Sequence, residues 1–315
     1  MTDLEVRELR YFIAVAEELN FSRAAERLGI AQPPLSRTVR QIESRLGVQL
    51  LWRDTRRVEL TEAGRVLLAE ALSIVEAVSA TVNRTRRAGQ ITPKLTATAK
   101  PGFASGLLRG IVEAYGALPG AIQVDILVSG YRQQVQLVRN GEVDVALASS
   151  PFDLTGLDSE QLTTEPRVAA LPAKHELARR PTLRCRDLAG LPFPDWPGID
   201  AAARAYWCGQ DRDFSGTRSL APRNDVDVSG PLVSDISALL DVVGLEQAVA
   251  LIPISVAKNN PRADVAYRPV VDASPFTMAM AWPAGSSDPH LAAFVRTAVE
   301  VTTALQDVDS HDQAG

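Results

Sequence analysis

The chain has 315 residues, of which 46% are hydrophobic and 23% charged, as is typical of soluble globular proteins. This length is enough for two or three domains. The sequence shows neither a secretory signal at its start nor a run of 18 apolar residues, so we expect a cytoplasmic protein with no membrane span.

The chain contains two cysteines, Cys185 and Cys208, and three histidines. In a cytosolic protein we expect both thiols to be reduced packing residues, and the alternative is a redox-switch pair. No CxxC motif or Cys/His cluster predicts a metal site, so we expect no metal and no bound cofactor.

The net charge of −5 argues weakly against a nucleic-acid partner if it is taken alone. Between Gln32 and Arg57, however, six arginines stand against only Glu43 and Asp54. A local excess of positive charge attracts the phosphate backbone of nucleic acid even when the protein as a whole is acidic.

The first thirty residues predict two helices joined by a short break. Apolar residues at helical spacing indicate a helix over residues 5–19. Ser22 follows the break, and we expect it to cap a short second helix that ends at Gly29. A connection of three or four residues then leads onward, as in a helix-turn-helix.

A third helix is predicted from Pro33-Pro34 to Gly47, since proline is tolerated at the start of a helix and glycine at its end. Its inward face carries Leu35, Val39, Ile42 and Leu46, and its outward face carries Gln32, Ser36, Arg37 and Arg40. Polar residues near the start of such a helix suit the base edges of the major groove, although a solvated helix face is the alternative.

Two short apolar segments around Asp54-Thr55 predict a β-hairpin over residues 50–60, with a basic turn that forms a wing. We expect Gln32, Pro33, Ser36 and Arg37 near base edges, and Arg40, Arg53, Arg56 and Arg57 on phosphates. The full candidate DNA-binding set is Ser22, Gln32, Pro33, Pro34, Ser36, Arg37, Arg40, Arg53, Arg56 and Arg57.

These segments resemble the LysR-type transcriptional regulators. The similarity lies in the run AAERLGIAQPPLSR at 24–37, the run IESRLGVQLL at 42–51 and LTEAG at 60–64. Ala31 departs from the pattern, because the family often has Ser or Thr there, and this removes a possible helix cap. The resemblance implies a winged helix-turn-helix N-terminal domain over residues 1–60, which binds double-stranded DNA.

Residues 61–88 predict a long linker helix capped by Thr61. Its apolar stripe consists of Leu67, Leu68, Ala71, Leu72, Ile74, Val75, Val78 and Val82. A helix of about 27 residues spans roughly 40 Å, too long to cover this stripe within a small domain, so a partner chain is expected. Packing on the chain's own C-terminal domain is the alternative. The resemblance implies a homodimer through this helix and a homotetramer of two such dimers, with RNA polymerase as a further candidate partner.

From residue 95 the pattern changes to alternating strands and helices. Strands at 95–99, 122–128 and 143–148, with helices at 106–118 and 131–139, predict a βαβαβ unit with a parallel sheet. Further strands are predicted at 167–171, 248–252 and 277–282, and a last helix at 291–305.

This layout resembles the effector domain of the same family, which has two α/β lobes of periplasmic-binding-protein type. The resemblance implies an effector-binding domain over 93–305, with lobe I at about 93–165 and 268–305 and lobe II at about 168–264. The chain would then cross between lobes near residues 165–167 and 265–268. Residues 238–253 resemble a family run ending in Leu-Leu-Pro, with Glu246-Gln247 where a second glycine is usual.

Ligands of open parallel sheets bind beyond the carboxyl ends of the strands, near helix N-termini. The residues at these positions, with two from the second lobe that would close over the cleft, are Lys100, Pro101, Gly102, Phe103, Ser129, Gly130, Tyr131, Ser149, Ser150, Trp196 and Ser234. Lys100 beside a helix N-terminus favours an anionic small-molecule effector such as a carboxylate. Turn formation, packing and solubility are the alternative roles of these residues.

Two other classes of protein fit less well. No G-x-S-x-G, phosphate-binding Gly-Lys or HExxH motif indicates an enzyme. A free-standing solute-binding protein would have a signal peptide and no winged helix-turn-helix. We therefore expect a transcriptional regulator that binds DNA and senses a small molecule.

Overall fold

The computed structural model describes residues 4–53, 57–89, 92–100, 105–130, 133–211 and 229–312. The chain divides into two compact units, which are Met1–Ile91 with Arg139–Glu142, and Thr92–Val138 with Val143–Gly315.

The first unit contains three short helices, a hairpin and one long helix: α1 (Val6–Glu18), α2 (Phe21–Leu28), α3 (Gln32–Leu46), β1 (Leu51–Arg53), β2 (Val58–Leu60) and α4 (Glu62–Ala88). Phe12 of α1 and Leu35, Val39 and Ile42 of α3 are fully buried in its core. The inward face predicted for the third helix is therefore confirmed for these three residues. The helix ends at Gly47, whose φ of 68° is the left-handed conformation that favours glycine.

The cap of α2 is Asn20 and not Ser22, so the expected cap is wrong. The Asn20 side-chain oxygen accepts hydrogen bonds from the backbone N–H groups of Ser22 and Arg23. Asn is as good a cap as Ser, and the helix begins at Phe21, ahead of the expected cap. Ser22 lies inside the first turn, where its own N–H needs a partner.

The hairpin and α4 are joined tightly. β1 and β2 pair antiparallel, with Leu51 opposite Leu60. Thr61 caps α4 as predicted, because its hydroxyl accepts from the Gly64 N–H at 3.0 Å. A Cβ on Gly64 would lie 2.0 Å from the Leu50 carbonyl oxygen, so only glycine allows the helix to approach the strand this closely. The predicted turn at Asp54-Thr55 lies outside the described residues.

Helix α4 leaves part of its apolar stripe exposed. Ala71 is buried against Leu9 and Ile13 of α1, but Ile74 is 44% exposed and Val82 43%. By length and composition alone, the segment Glu62–Arg87 is long and apolar enough to cross a membrane. The exposed stripe leaves apolar surface for a partner to cover.

The C-terminal half of α4 also has contacts within the first unit. Ala80 is buried, and a Cβ on Gly141 would lie 2.9 Å from the Ala80 Cα. The Asn83 side-chain amide donates to the Asn140 carbonyl at 2.9 Å. One part of the helix therefore packs on Asn140 and Gly141 within the first unit.

The second unit begins with the predicted βαβαβ arrangement: β3 (Lys94–Ala99), α5 (Ser105–Gly116), β4 (Gln123–Val128), α6 (Gln133–Arg139) and β5 (Val145–Ser149). β3 pairs parallel with both β4 and β5. Two antiparallel strands, β6 (Leu157–Glu165) and β12 (Phe276–Pro283), extend the sheet to the order β4-β3-β5-β12-β6. The sheet is therefore mixed and not purely parallel. We call this sheet, with α5, α6 and α10 (Pro289–Asp312), the first lobe.

The second lobe contains β7 (Arg167–Pro172), β8 (Phe193–Asp195), α7 (Ala201–Trp207), β9 (Ser229–Leu232), α8 (Ile236–Gly244), β10 (Ala250–Pro253), α9 (Ile254–Asn259) and β11 (Val265–Pro269). Its main sheet has the order β10-β7-β11 with both pairs antiparallel, and β8 pairs parallel with β9. Glu246 follows α8 with a φ of 61°, so a glutamate takes the left-handed conformation where the family pattern has glycine.

The chain crosses between the lobes at two places. The first crossing is at Pro166, between β6 and β7, which agrees with the expected position. The second was expected near residues 265–268, but β11 pairs with β7 along its whole length up to Pro269. The second crossing therefore lies between Pro269 and Phe276, later than expected, because residues 265–269 form a strand of the second lobe.

Replacing Asn20 by Ala should lower the free energy of unfolding by about 1 kcal/mol, since two N–H groups of α2 lose their acceptor. Ser22→Ala, two residues away, should change it by less than about 0.5 kcal/mol. Urea unfolding followed by circular dichroism measures both. If Ser22→Ala were the more damaging change, the assignment of Asn20 as the cap would be wrong.

Candidate nucleic-acid interface and effector cleft

The first turns of α3 present an exposed polar face. Gln32, Pro33, Pro34, Arg37 and Arg40 are exposed, and Ser36 is partly exposed. The inward face of the same helix is held in the core, so the direction of these side chains is fixed by packing. No side chain caps the helix at Ala31, as the missing Ser or Thr suggested.

Arg53 has a different environment from the one expected for a phosphate contact. Its guanidinium donates to the Glu43 carboxylate at 2.6 Å and lies 5.1 Å from the centre of the Phe21 ring. The other oxygen of Glu43 accepts from the N–H groups of Leu50 and Leu51. Arg53 and Glu43 therefore connect α3, α2 and β1, so both residues position the first strand of the hairpin.

The remaining candidates lie near the wing or the second helix. Arg57 is exposed and forms an ion pair with Glu59 at 3.0 Å. Ser22 is exposed at the start of α2. Arg56 lies outside the described residues. The positioning role of Glu43 was not predicted from the sequence. A glutamate one helical turn after the buried Val39, on the half-buried side of α3, is the feature of the sequence that indicates such a role.

Lys100 and Trp196 meet between the two lobes. Lys100 directly follows β3 in the first lobe, and Trp196 directly follows β8 in the second. Both are buried, and the Lys100 Nζ lies 4.4 Å from the centre of the Trp196 ring, a cation–π distance. The structure therefore brings together one candidate from each lobe.

The environment of Lys100 disfavours its charge. Burial lowers the pKa of Lys100 to about 7, while the negative charge of Asp235 acts in the opposite direction. The pKa of Asp235 lies below its usual value, chiefly because its carboxylate accepts from the Ala238 N–H at the start of α8. A second negative charge beside Lys100 would favour the protonated amine.

Ser129 and Gly130 take part in a buried hydrogen-bond network. The Thr98 hydroxyl lies 2.8 Å from the Ser129 hydroxyl, and the Gln134 amide donates to the same hydroxyl at 2.7 Å. The Gln134 amide also donates to the Gly130 carbonyl at 2.8 Å. This network orders the ends of β3 and β4, so Ser129 has a clear structural role.

Ser150 connects the lobes at another point. Its hydroxyl accepts from the Thr277 N–H at 2.8 Å and lies 3.0 Å from the Tyr206 hydroxyl on α7. Ser149, at the end of β5, pairs with Met278 in the sheet. Ser234 is exposed and donates to the Asp235 carboxylate at 2.8 Å, next to the residue that acts on Lys100. Pro101, Gly102, Phe103 and Tyr131 lie outside the described residues.

Arg167 and Tyr206 were not predicted from the sequence. The Arg167 guanidinium is buried, lies 3.8 Å from the centre of the Tyr206 ring and donates to the Tyr206 carbonyl at 2.7 Å and to the Ser274 carbonyl. The Tyr206 hydroxyl donates to the Pro275 carbonyl at 2.9 Å. An arginine at the head of an otherwise apolar strand was the signal in the sequence.

The two cysteines have environments that favour the thiol form. Burial raises the pKa of Cys185 to about 12 and that of Cys208 to about 11. Because the thiolate is the reactive form, these values argue against a redox switch at neutral pH. Both thiols contribute to the apolar cluster beneath β7.

Lys100→Met should raise the free energy of unfolding most at pH below 7, and this gain should shrink as the pH approaches 10.5. Between these values the unfolded chain binds a proton that the folded chain does not, so the stability of the wild type rises with pH. Lys258→Met, at an exposed position on α9, should leave the wild-type pH profile unchanged. Urea unfolding at pH 6, 8 and 10 tests this; an equal effect of Lys100→Met at all three values would contradict it.

The sequence matches two family models that together cover most of the chain. Residues 6–65 match the bacterial regulatory helix-turn-helix protein of the lysR family, and residues 88–303 match the LysR substrate binding domain. The chain is 33% identical over 297 residues to the Hca operon transcriptional activator HcaR of Escherichia coli K12, covering 93% of this chain and 96% of HcaR. It is 35% identical over 270 residues to the regulator AlsR of Bacillus subtilis 168, covering 84% and 85%.

Solved structures agree on the fold. A full-length variant of BenM aligns with a TM-score of 0.56 at 22% identity, covering 96% of this chain and 97% of BenM. A cysteine variant of OxyR from Corynebacterium glutamicum aligns with a TM-score of 0.54 at 23% identity, covering 98% and 94%. The chain belongs to the LysR family, and it is a DNA-binding transcriptional regulator controlled by a small-molecule effector, not an enzyme.

Proposed function

We propose that this regulator reads its operator with the first turns of α3 and takes an anionic effector between its two lobes. The main support for operator reading is the exposed face of α3, where Gln32, Pro33 and Arg37 point away from a packed core. Arg37 and Gln32 have the donors and acceptors that base edges in the major groove require. Arg40 and Arg57 supply positive charge for phosphates.

The proposed assembly is a dimer formed through α4. The exposed apolar side chains of this helix support it, because a second copy would cover them. The two copies of α3 in one dimer contact successive turns of the major groove. The operator should therefore be partly palindromic, with half-sites about one helical turn apart. Pairing of two dimers into a tetramer, contact with RNA polymerase and a cytoplasmic location belong to the same proposal.

The effector part rests on the contact between Lys100 and Trp196. The contact joins the lobes, and a carboxylate placed beside Lys100 would restore the charge that burial disfavours. An effector that binds both lobes favours one angle between them. The change of angle then alters the bend of the bound DNA rather than creating DNA binding.

Arg37→Ala should relax base preference at one position of the site and cost about 1–3 kcal/mol of binding free energy there. Arg40→Ala should weaken binding to all sequences alike and flatten the dependence of affinity on salt by about one unit of slope. Fluorescence anisotropy with a set of single-base operator variants at three salt concentrations separates the two effects. Uniform weakening by Arg37→Ala would exclude it as a base reader.

Small carboxylic acids that bind the cleft should stabilise the protein against heat, while their neutral amides should not. Above pH 7 binding should take up a proton at Lys100, so affinity for the acids should fall as the pH rises from 7 to 9. A thermal-shift screen of matched acid and amide pairs on the wild type and Lys100→Met measures this. Amides that stabilise as well as acids, or acids that bind Lys100→Met equally, would contradict an anionic effector at Lys100.

A further inference from the structure

Both crossings between the lobes border one cavity. The first crossing contributes the segment from Thr164 to Val168, and the second contributes Pro269, Val270, Val271, Ala273 and Pro275. The cavity has a volume of about 380 Å³ and is completed by Ile254 at the start of α9. We call it the hinge cavity. Its walls share no residue with the Lys100–Trp196 contact between the lobes.

The charged groups that border the hinge cavity already have partners within the protein. The Glu165 carboxylate accepts from the backbone N–H of Ser255 at 2.8 Å and from its hydroxyl at 2.7 Å. The Arg167 guanidinium donates to the carbonyls of Ser274 and Tyr206. Binding of a charged molecule would have to replace these bonds, and each replacement would cost free energy.

The remaining walls are mainly apolar. Proline side chains come from both crossings, at Pro166, Pro269 and Pro275, and aliphatic side chains come from Ile254 and Val271. Proline rings and branched aliphatic groups provide rigid surfaces with few alternative conformations. Such walls favour a neutral, apolar molecule over a charged one.

We propose that the hinge cavity is a second small-molecule site, which takes a neutral and mainly apolar molecule of one or two rings. The volume lies within the range of about 300–1,000 Å³ that is usual for small-molecule sites. This site is separate from the proposed anionic effector site, since the two sites differ in place and in charge preference.

The position of the hinge cavity gives its occupant a means of regulation. A molecule held there contacts both crossings at once, and these two segments join the strands of one lobe to those of the other. The occupant therefore stabilises the lobe angle at which the cavity keeps its shape, and it disfavours angles that close or widen it. In this way an apolar compound changes the affinity of the lobes for a second ligand.

Saturation-transfer NMR with the full chain and indole as the probe tests the site, because indole is neutral, apolar and bicyclic. We expect saturable binding that Val271→Trp weakens at least tenfold by filling the cavity. Leu245→Trp is the matched control, since Leu245 is 67% exposed and Val271 62% exposed, and neither forms part of the core. The control should bind indole as the wild type does.

Further variants test the charge preference of the hinge cavity and its separation from the cleft. Val271→Glu should also weaken binding, because it places a carboxylate on an apolar wall, while Leu245→Glu should not. Indole should still bind Lys100→Met saturably, because Lys100 lies outside the hinge cavity and does not contact its occupant. Failure of indole to saturate the wild type, equal binding by the Val271 and Leu245 variants, or loss of binding in Lys100→Met would overturn the proposal.

Discussion

A buried guanidinium lies where the chain first crosses between the lobes, and both crossings depend on its hydrogen bonds. Arg167 is 1% exposed, and burial of a cation costs several kcal/mol unless polar partners surround it. Those partners are carbonyls of Ser274 in the second crossing and Tyr206 at the end of α7, with Asp211 at 3.8 Å. Because the cation must keep these acceptors, the two crossings and α7 are held together.

Other contacts between the lobes lie beside this arginine. Tyr206, held over Arg167, places its hydroxyl beside Ser150 and the Pro275 carbonyl. The Lys100–Trp196 pair is another contact between the lobes, and both of its members are candidate ligand residues. In the proposed mechanism an anion acts on this pair, whereas an apolar molecule acts on the crossings, so one angle responds to two kinds of chemistry.

The parts of the fold that the sequence predicted are those with local signals. The end of α3 at Gly47, the cap at Thr61 and the βαβαβ arrangement all follow from residues close together in the chain. Strand β6 was not predicted, because it is an edge strand with mostly exposed polar residues and its pairing with β12 is distant in sequence. The cap of α2 was misplaced because Asn20 and Ser22 offer the same capping chemistry two residues apart.

The candidate sites also divide into features that local spacing predicts and features that depend on long-range contacts. The outward face of α3 follows from helical spacing, and the structure places those side chains on an exposed surface. The meeting of Lys100 with Trp196, the role of Arg53 beside Glu43 and the buried Arg167 arise between segments that are not neighbours in the chain. Spacing rules identify which residues are polar and near a strand end, but long-range packing decides which of them have protein partners.

The most direct test of operator reading by α3 is selection of DNA from a randomised duplex library by the purified full chain at fixed salt. A dimer presenting two copies of α3 should recover a partly palindromic motif whose half-sites lie about one helical turn apart. Salt-sensitive binding without any recovered motif, in the presence and absence of the acids that stabilise the protein, would contradict sequence reading by α3.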